Sequence, residues 1–296
     1  MSMNNTEFQT FLKKLIEDEK NVYIPVNSSL FEKIIHIDAN CRNIHPNQDD
    51  EFCFPEVGPS YRIIGEYEKQ FRDEISRGFK PRMEPLVVMK AHPKGFMLVN
   101  GHHRWAAALK IGMKKVPIKL VNMMMEEDIK RILNKSDHDK RVTLDLDEVV
   151  FRTPEDEYIE KTKGLLTKKS SKRIRLGIPA LFRYLKSNGY DIWVYSSQYY
   201  SIDNIALMFK KYSVQVDGII SGSGKKGIYD EQKVTSLKEL ITGKYKTTIH
   251  IDNDMVVVTK GKGADFEEYE IRSNDELWSK DVIDLFEKMR KQDTDT

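Results

Sequence analysis

The spacing of apolar residues changes character near residue 140. Before it, short apolar runs alternate with proline and glycine. Leu86-Val87-Val88-Met89 and Phe96-Met97-Leu98-Val99 predict two strands, joined by a turn at Ala91-His92-Pro93-Lys94-Gly95. Trp105 to Ile111 predicts a helix, stopped by Gly112 just past its end. Val116–Val121 predicts a further strand. Met123–Leu133 predicts a connecting helix, with Met125, Ile129, Ile132 and Leu133 on one face.

The stretch from Asn134 to Lys140 contains no apolar residue and marks a boundary. Beyond it, strands at Val142–Leu146, Ile192–Tyr195, Gly218–Ser221 and Thr247–Ile251 alternate with helices at Ile178–Ser187, Ile202–Tyr212 and Lys233–Ile241. Such alternation predicts an α/β fold, a parallel sheet with helices on both faces, following an α+β amino-terminal half. The expected division is a domain over 1–122, a linker helix and loop over 123–140, and a second domain over 141–296. In sheets of this kind ligands collect at the carboxyl ends of the strands.

A length of 296 residues suits two domains. With 48 basic against 46 acidic residues the formal charge is +2, which excludes a uniformly polybasic nucleic-acid coat, so any anion site must be local. Cys41 and Cys53 are too few for a disulfide framework, and no CxxC or HExxH pattern points to zinc. No apolar run approaches the roughly 20 residues needed to cross a bilayer. The opening Met1–Thr6 lacks a basic segment leading into an apolar one, so no secretion signal is expected. These features describe a soluble, reduced, cytoplasmic protein without a membrane partner.

Three of the four later strands end in residues suited to phosphoryl chemistry: Asp145-Leu146-Asp147, Ser196-Ser197 and Asp252-Asn253-Asp254. Strand alternation would turn Asp145 and Asp147 to the same side, where they repel unless a cation or proton separates them. Mg²⁺ takes a few hard oxygens together with water and phosphate, which Asp145 and Asp252 would supply. An ionised aspartate beside it can attack phosphorus, and a second acid can protonate the leaving oxygen. A serine and a lysine would hold the phosphoryl oxygens.

The run Val142-Thr143-Leu144-Asp145-Leu146-Asp147-Glu148-Val149-Val150 resembles the first motif of the haloacid-dehalogenase (HAD) superfamily. Trp193-Val194-Tyr195-Ser196 resembles its second motif, and Ile249-His250-Ile251-Asp252-Asn253-Asp254 its fourth. The resemblance spans roughly Arg141 to Val258 and implies a HAD-like Rossmannoid domain with phosphatase activity. It implies Asp145 as nucleophile, Asp147 as general acid/base, and Ser196 as phosphate ligand. Mg²⁺ would be bound by Asp145, Asp252 and the main-chain carbonyl of Asp147. For the motif lysine, Lys233 stands about twenty residues before Asp252, with Lys225 and Lys226 as rivals. An acid at 147 favours a phosphatase over a dehalogenase or an ion pump. Only about fifty residues separate Asp145 from Ser196, so no large cap fits between them. Lys161, Lys163, Lys168, Lys169, Lys172, Arg173 and Arg175 lie in that interval, either as a solvated loop or as a rim docking an anionic substrate.

In the first half, Asn100-Gly101-His102-His103-Arg104 links a strand to a helix. Backbone N–H groups and the helix dipole favour an anion at such a junction, and Arg104 adds a bidentate donor. Together with Ala106-Ala107-Ala108 and Val116-Pro117-Ile118, the turn resembles the ParB/sulfiredoxin superfamily over roughly Tyr23 to Asn122. This implies nucleotide binding, of ATP or CTP, at Gly101, His102, His103 and Arg104. His102 stands where sulfiredoxins carry cysteine, so their redox chemistry is not expected. The catalytic glutamate of kinase-type members has no motif here, Glu51 and Glu56 being nearby acids. The expected protein is a Mg²⁺-dependent phosphatase joined to a nucleotide-binding domain. Its substrate would be a phosphorylated metabolite, nucleotide or nucleic-acid end. The alternative is a nucleotide-dependent kinase or sensor led by the first domain.

Overall fold

The computed structural model describes residues 3–161, 172–222, 239–261 and 265–294. These form two compact units, one running to Met123 and one beginning at Met124. Among the described residues no helix is long and apolar enough to cross a membrane.

The first unit is a mixed α+β layer. Its elements are α1 (Asn5–Asp18), β1 (Ile24–Val26), α2 (Leu30–Ile35), β2 (Asp38–Asn40), β3 (Ile44–His45), α3 (Tyr61–Ser76), β4 (Leu86–His92), β5 (Phe96–Asn100), α4 (His102–Lys110) and β6 (Lys115–Leu120). The sheet order is β2-β6-β4-β5-β3, with β1 also paired to β4. Leu86, Val88 and Leu98 of the central strands meet Ala106, Ala107 and Ala108 of α4 in one core. Three alanines let the helix approach the sheet closely, which fixes the β5–α4 junction tightly. Trp105 fills the space beyond them and donates from Nε1 to the Cys41 carbonyl at 3.0 Å.

The second unit contains α5 (Glu126–Lys135), β7 (Lys140–Asp145), β8 (Phe151–Arg152), β9 (Arg173–Ile174), α6 (Ile178–Ser187), β10 (Tyr190–Ser196), α7 (Ile202–Lys211), β11 (Gly218–Ser221), β12 (Thr247–Ile251), β13 (Met255–Lys260), β14 (Asp265–Glu270) and α8 (Trp278–Thr294). The sheet order is β11-β10-β7-β12-β13-β14. β10 pairs in parallel with β11 and β7, and β7 in parallel with β12. The expected all-parallel sheet is thus extended on one side by an antiparallel hairpin, because Asp252–Asp254 turn the chain straight back into β13. Alternation along β10 serves two faces: Ile192 and Val194 enter a core with Phe182, Phe209 and Phe286, while Trp193 packs with Ile129, Leu133, Ile241 and Tyr245.

Within 123–140, α5 buries Ile129 and Leu133 in a cluster with Trp193, Ile241 and Tyr245. The first strand ends at Asp145 instead of Leu146, and Leu146–Val150 wind into a π-helical turn. The Asp145 carboxylate causes this by accepting the amides of Asp147 and Glu148 at 2.7 and 2.8 Å. Strand alternation therefore does not reach Asp147. The expected helix start at Lys233 lies outside the described residues, which resume in helix at 239–244.

Candidate active site

Residues Asp145, Ser196 and Asp252 sit at or just beyond the carboxyl ends of β7, β10 and β12. Leu144 is in register with Ile251, so Asp145 and Asp252 occupy matching positions on neighbouring strands. The chain moves from β7 outward through β10 to β11, then returns to β12 on the other side of β7. This reversal of strand order is where an open parallel sheet leaves a crevice for ligand.

Asp145 is half-buried, and both of its amide hydrogen bonds fall on Oδ1. Asp147 turns toward β10 instead. Its Oδ2 accepts from Ser196 Oγ at 2.5 Å and its Oδ1 accepts from Tyr200 OH at 2.6 Å. Ser196 is fully buried and takes the Gln198 amide at 2.9 Å. Burial, followed by the hydrogen bond to Asp147 and that carboxylate's charge, pushes the Tyr200 phenol well above its ordinary pKa, so Tyr200 remains a donor. Lys172 Nζ stands 3.7 Å from Asp147 Oδ1.

Beside these groups opens a cavity of about 850 Å³, lined by Asp147, Glu148, Asp156, Asp252, Asp254 and Asp275 and, among cations, by Arg152, Lys172 and Arg175. Asp145 and Ser196 are not on its wall. Among the described residues, no three aspartate, glutamate, histidine or cysteine side chains gather into a metal-holding group. The acidic excess still suits a cation, and Mg²⁺ commonly takes only one or two carboxylates, completing its shell with water and phosphate. Lys163, Lys168, Lys169, Lys225, Lys226 and Lys233 all lie outside the described residues. Within the basic run, Arg175 is neither solvated nor on a rim: it is 3% exposed.

In the first unit, Gly101 caps α4 with φ +100°, a left-handed conformation that favours glycine. A Cβ there would come within 2.7 Å of Leu86 Cδ2 and 2.9 Å of Arg104 Nη2. The two histidines are not cationic. His102 Nε2 accepts the Asn47 amide at 3.4 Å, and His103 Nε2 accepts the Ser60 amide at 3.1 Å, which requires neutral rings. Burial, and next the repulsion that a protonated His103 would exert, lower His102 to a pKa of about 3; burial also lowers His103, against the attraction of Asp50. A 3.5 Å approach of His102 Nδ1 to Asp50 Oδ2 is therefore a contact of a neutral imidazole, not an ion pair. Arg104 is buried, ion-paired to Glu84, and donates to Asn100 Oδ1 at 3.3 Å. Its Nε has no hydrogen-bond partner among the described residues. The local positive charge of this turn is thus Arg104 alone, already balanced by an exposed glutamate.

Sequence reasoning missed Tyr200, Asp50 and Glu84. Tyr200 lies 53 residues from Asp147 with no motif to join them. Asp50 faces both histidines, whereas Glu51 and Glu56 are exposed. Burial raises both Cys41 and Cys53 thiols to about 12, which keeps them protonated and unreactive.

The ParB N-terminal domain family matches residues 74–136, from the end of α3 through the Gly101 turn to the close of α5. The match covers β4, β5, α4 and β6 of the first unit together with α5 of the second, so this segment is similar to the ParB N-terminal domain. No curated protein matches the chain.

Proposed function

We propose that the second unit is a Mg²⁺-dependent phosphate monoester hydrolase working through an aspartyl-phosphate on Asp145. One observation carries this reading: Asp145, Asp147, Ser196 and Asp252 converge at the strand ends where the sheet order reverses, as the HAD resemblance implies. Asp145 Oδ1 is pinned by two amides, which leaves Oδ2 to attack phosphorus as the ester P–O bond breaks. Asp147, once protonated, would give that proton to the departing oxygen and then take one from the water that releases phosphate, which restores it for the next turnover. Tyr200 and Ser196 orient Asp147 through its two oxygens, and Lys172 stands close enough to offset charge there. Ser196, on turning its O–H away from Asp147, would donate to a phosphoryl oxygen, and Lys233 is the lysine that the motif spacing favours for the same task. Asp145, Asp252 and the Asp147 carbonyl would hold Mg²⁺, whose chemistry is to neutralise the phosphoryl charge. Replacing Asp145→Asn is expected to abolish turnover of p-nitrophenyl phosphate with the far-ultraviolet spectrum unchanged. Retention of most activity overturns the mechanism.

A second reading, nucleotide binding and a kinase or sensor role led by the first unit, is favoured by the ParB match and by the glycine-capped start of α4. A phosphate there would replace Glu84 on Arg104 and supply an acceptor to its unpartnered Nε. ATP, CTP or GTP should then raise the melting temperature, and Arg104→Ala should remove that rise. Absence of any shift refutes this reading.

A further inference from the structure

The cavity beside β7 and β12 holds a group of residues for which the proposed hydrolysis has no use. Arg175 donates from Nη1 to Asn253 Oδ1 at 2.9 Å and from Nη2 to Asp275, and its guanidinium lies 4.0 Å over the Trp278 ring. Arg152 approaches the same two acceptors, Asn253 Oδ1 at 3.5 Å and Asp275 Oδ1 at 3.6 Å. Two guanidiniums therefore share one carboxylate, which leaves excess positive charge at this end of an otherwise acidic cavity.

Two polar atoms here are buried without a hydrogen-bond partner among the described residues: Arg175 Nε and Ser273 Oγ. Both residues line the cavity. A buried donor lacking an acceptor is a costly arrangement that a bound anion relieves. Burial, and next the charge of Arg152, lower the Arg175 pKa to about 10, which still leaves it charged at neutral pH. The competing Asp275 side chain is half exposed and can turn to solvent. Asn253, which accepts from both arginines, follows Asp252 directly, so this group adjoins the reactive strand end.

We propose that Arg152, Arg175 and Ser273 form a second phosphate subsite. It takes a substrate bearing another phosphoryl or phosphodiester group beside the ester to be cleaved. The assignment deepens, and rests on, the phosphatase reading. Planar guanidinium forks match the paired oxygens of such a group better than lysines do. The second group has two sources, the neighbouring phosphodiester of a nucleic-acid strand or the second phosphate of a small bisphosphate.

The test uses the full chain with Mg²⁺ and three substrates: p-nitrophenyl phosphate, fructose 1,6-bisphosphate and a 3′-phosphorylated tetranucleotide. In Arg152→Gln and Arg175→Gln, the kcat/KM for one of the two larger substrates should fall at least tenfold relative to p-nitrophenyl phosphate, chiefly through KM. The substrate that responds names the source. Equal losses on all three, or no change in the ratio, overturn the subsite. Arg175 is deeply buried, so the partly exposed Arg152 supplies the variant expected to fold regardless. Equilibrium titration of Asp145→Asn with fructose 1,6-bisphosphate, fructose 6-phosphate and the tetranucleotide separates the two readings. Preference for a two-phosphate ligand, lost in the Arg152→Gln double variant, upholds the subsite even if the wild-type chain turns over nothing. Turnover without that preference upholds the phosphatase and sinks the subsite.

Discussion

Acidification from pH 7 to pH 5 should destabilise the first unit through His102. This imidazole is 5% exposed and its Nε2 is already accepting the Asn47 amide, so protonation would break a hydrogen bond and bury a charge. Its folded pKa is about 3 against an ordinary 6.5, a depressed value for a base. The stabilisation is therefore fully present above 6.5 and is lost as the pH falls from there toward 3, because only the unfolded chain takes up the proton. At pH 5 the unfolded histidine is nearly all protonated and the folded one nearly all neutral, so the loss relative to pH 7 is about 2 kcal/mol. That figure barely depends on the folded value, provided it lies well below 5. His103 is lowered in the same direction and adds to the slope, whereas Asp50, raised by burial, opposes it. Comparison with His102→Gln, which keeps an acceptor but cannot titrate, isolates the single group. Urea unfolding followed by hydrogen exchange on α4 peptides at both pH values should give a pH-dependent loss smaller by about 2 kcal/mol in the variant. Identical pH dependence in both proteins, or an NMR titration of His102 near 6.5, refutes the reasoning.

The other predictions concern packing. Gly101→Ala forces a Cβ to 2.7 Å from Leu86 Cδ2 at φ +100° and should cost about 1–3 kcal/mol in urea unfolding. Gly218→Ala drives a Cβ into the Trp193 ring and should lower the second unit's unfolding midpoint, by about 1–3 kcal/mol of stability. Leu133→Ala, in a helix that would tolerate it as a bare linker, should cost the second unit about 2–5 kcal/mol. An unchanged unfolding midpoint would contradict the packing of α5.

Much of the framework is legible in the chain itself. Continuous apolar runs such as Ile192–Tyr195 read as strands because both faces of an inner parallel strand are buried. The terminal residues Asp145, Ser196 and Asp252 follow from where those runs stop. The Gly101 turn is likewise local, since a positive φ before a helix selects glycine. The antiparallel addition of β13 and β14 was harder to read, because Met255–Val258 carries no mark of direction. Its orientation follows from the tight turn at Asp252–Asp254.

Protonation, pairing and burial belong to the tertiary structure. The sequence leaves the protonation of His102 and His103 open, and remote amides from Asn47 and Ser60 together with the loss of water make both rings neutral. Lys161 to Arg175 reads as one basic run, but only the fold buries Arg175 against Trp278. Asp147 stands two residues from Asp145, and its orientation depends on Ser196 and Tyr200, some fifty residues away. Short-range periodicity and backbone sterics place the strands to within a residue or two and set which residue types stand near their ends. Which of those groups are charged, capped or unpartnered depends on desolvation and on hydrogen bonds to neighbours that the chain brings from far away.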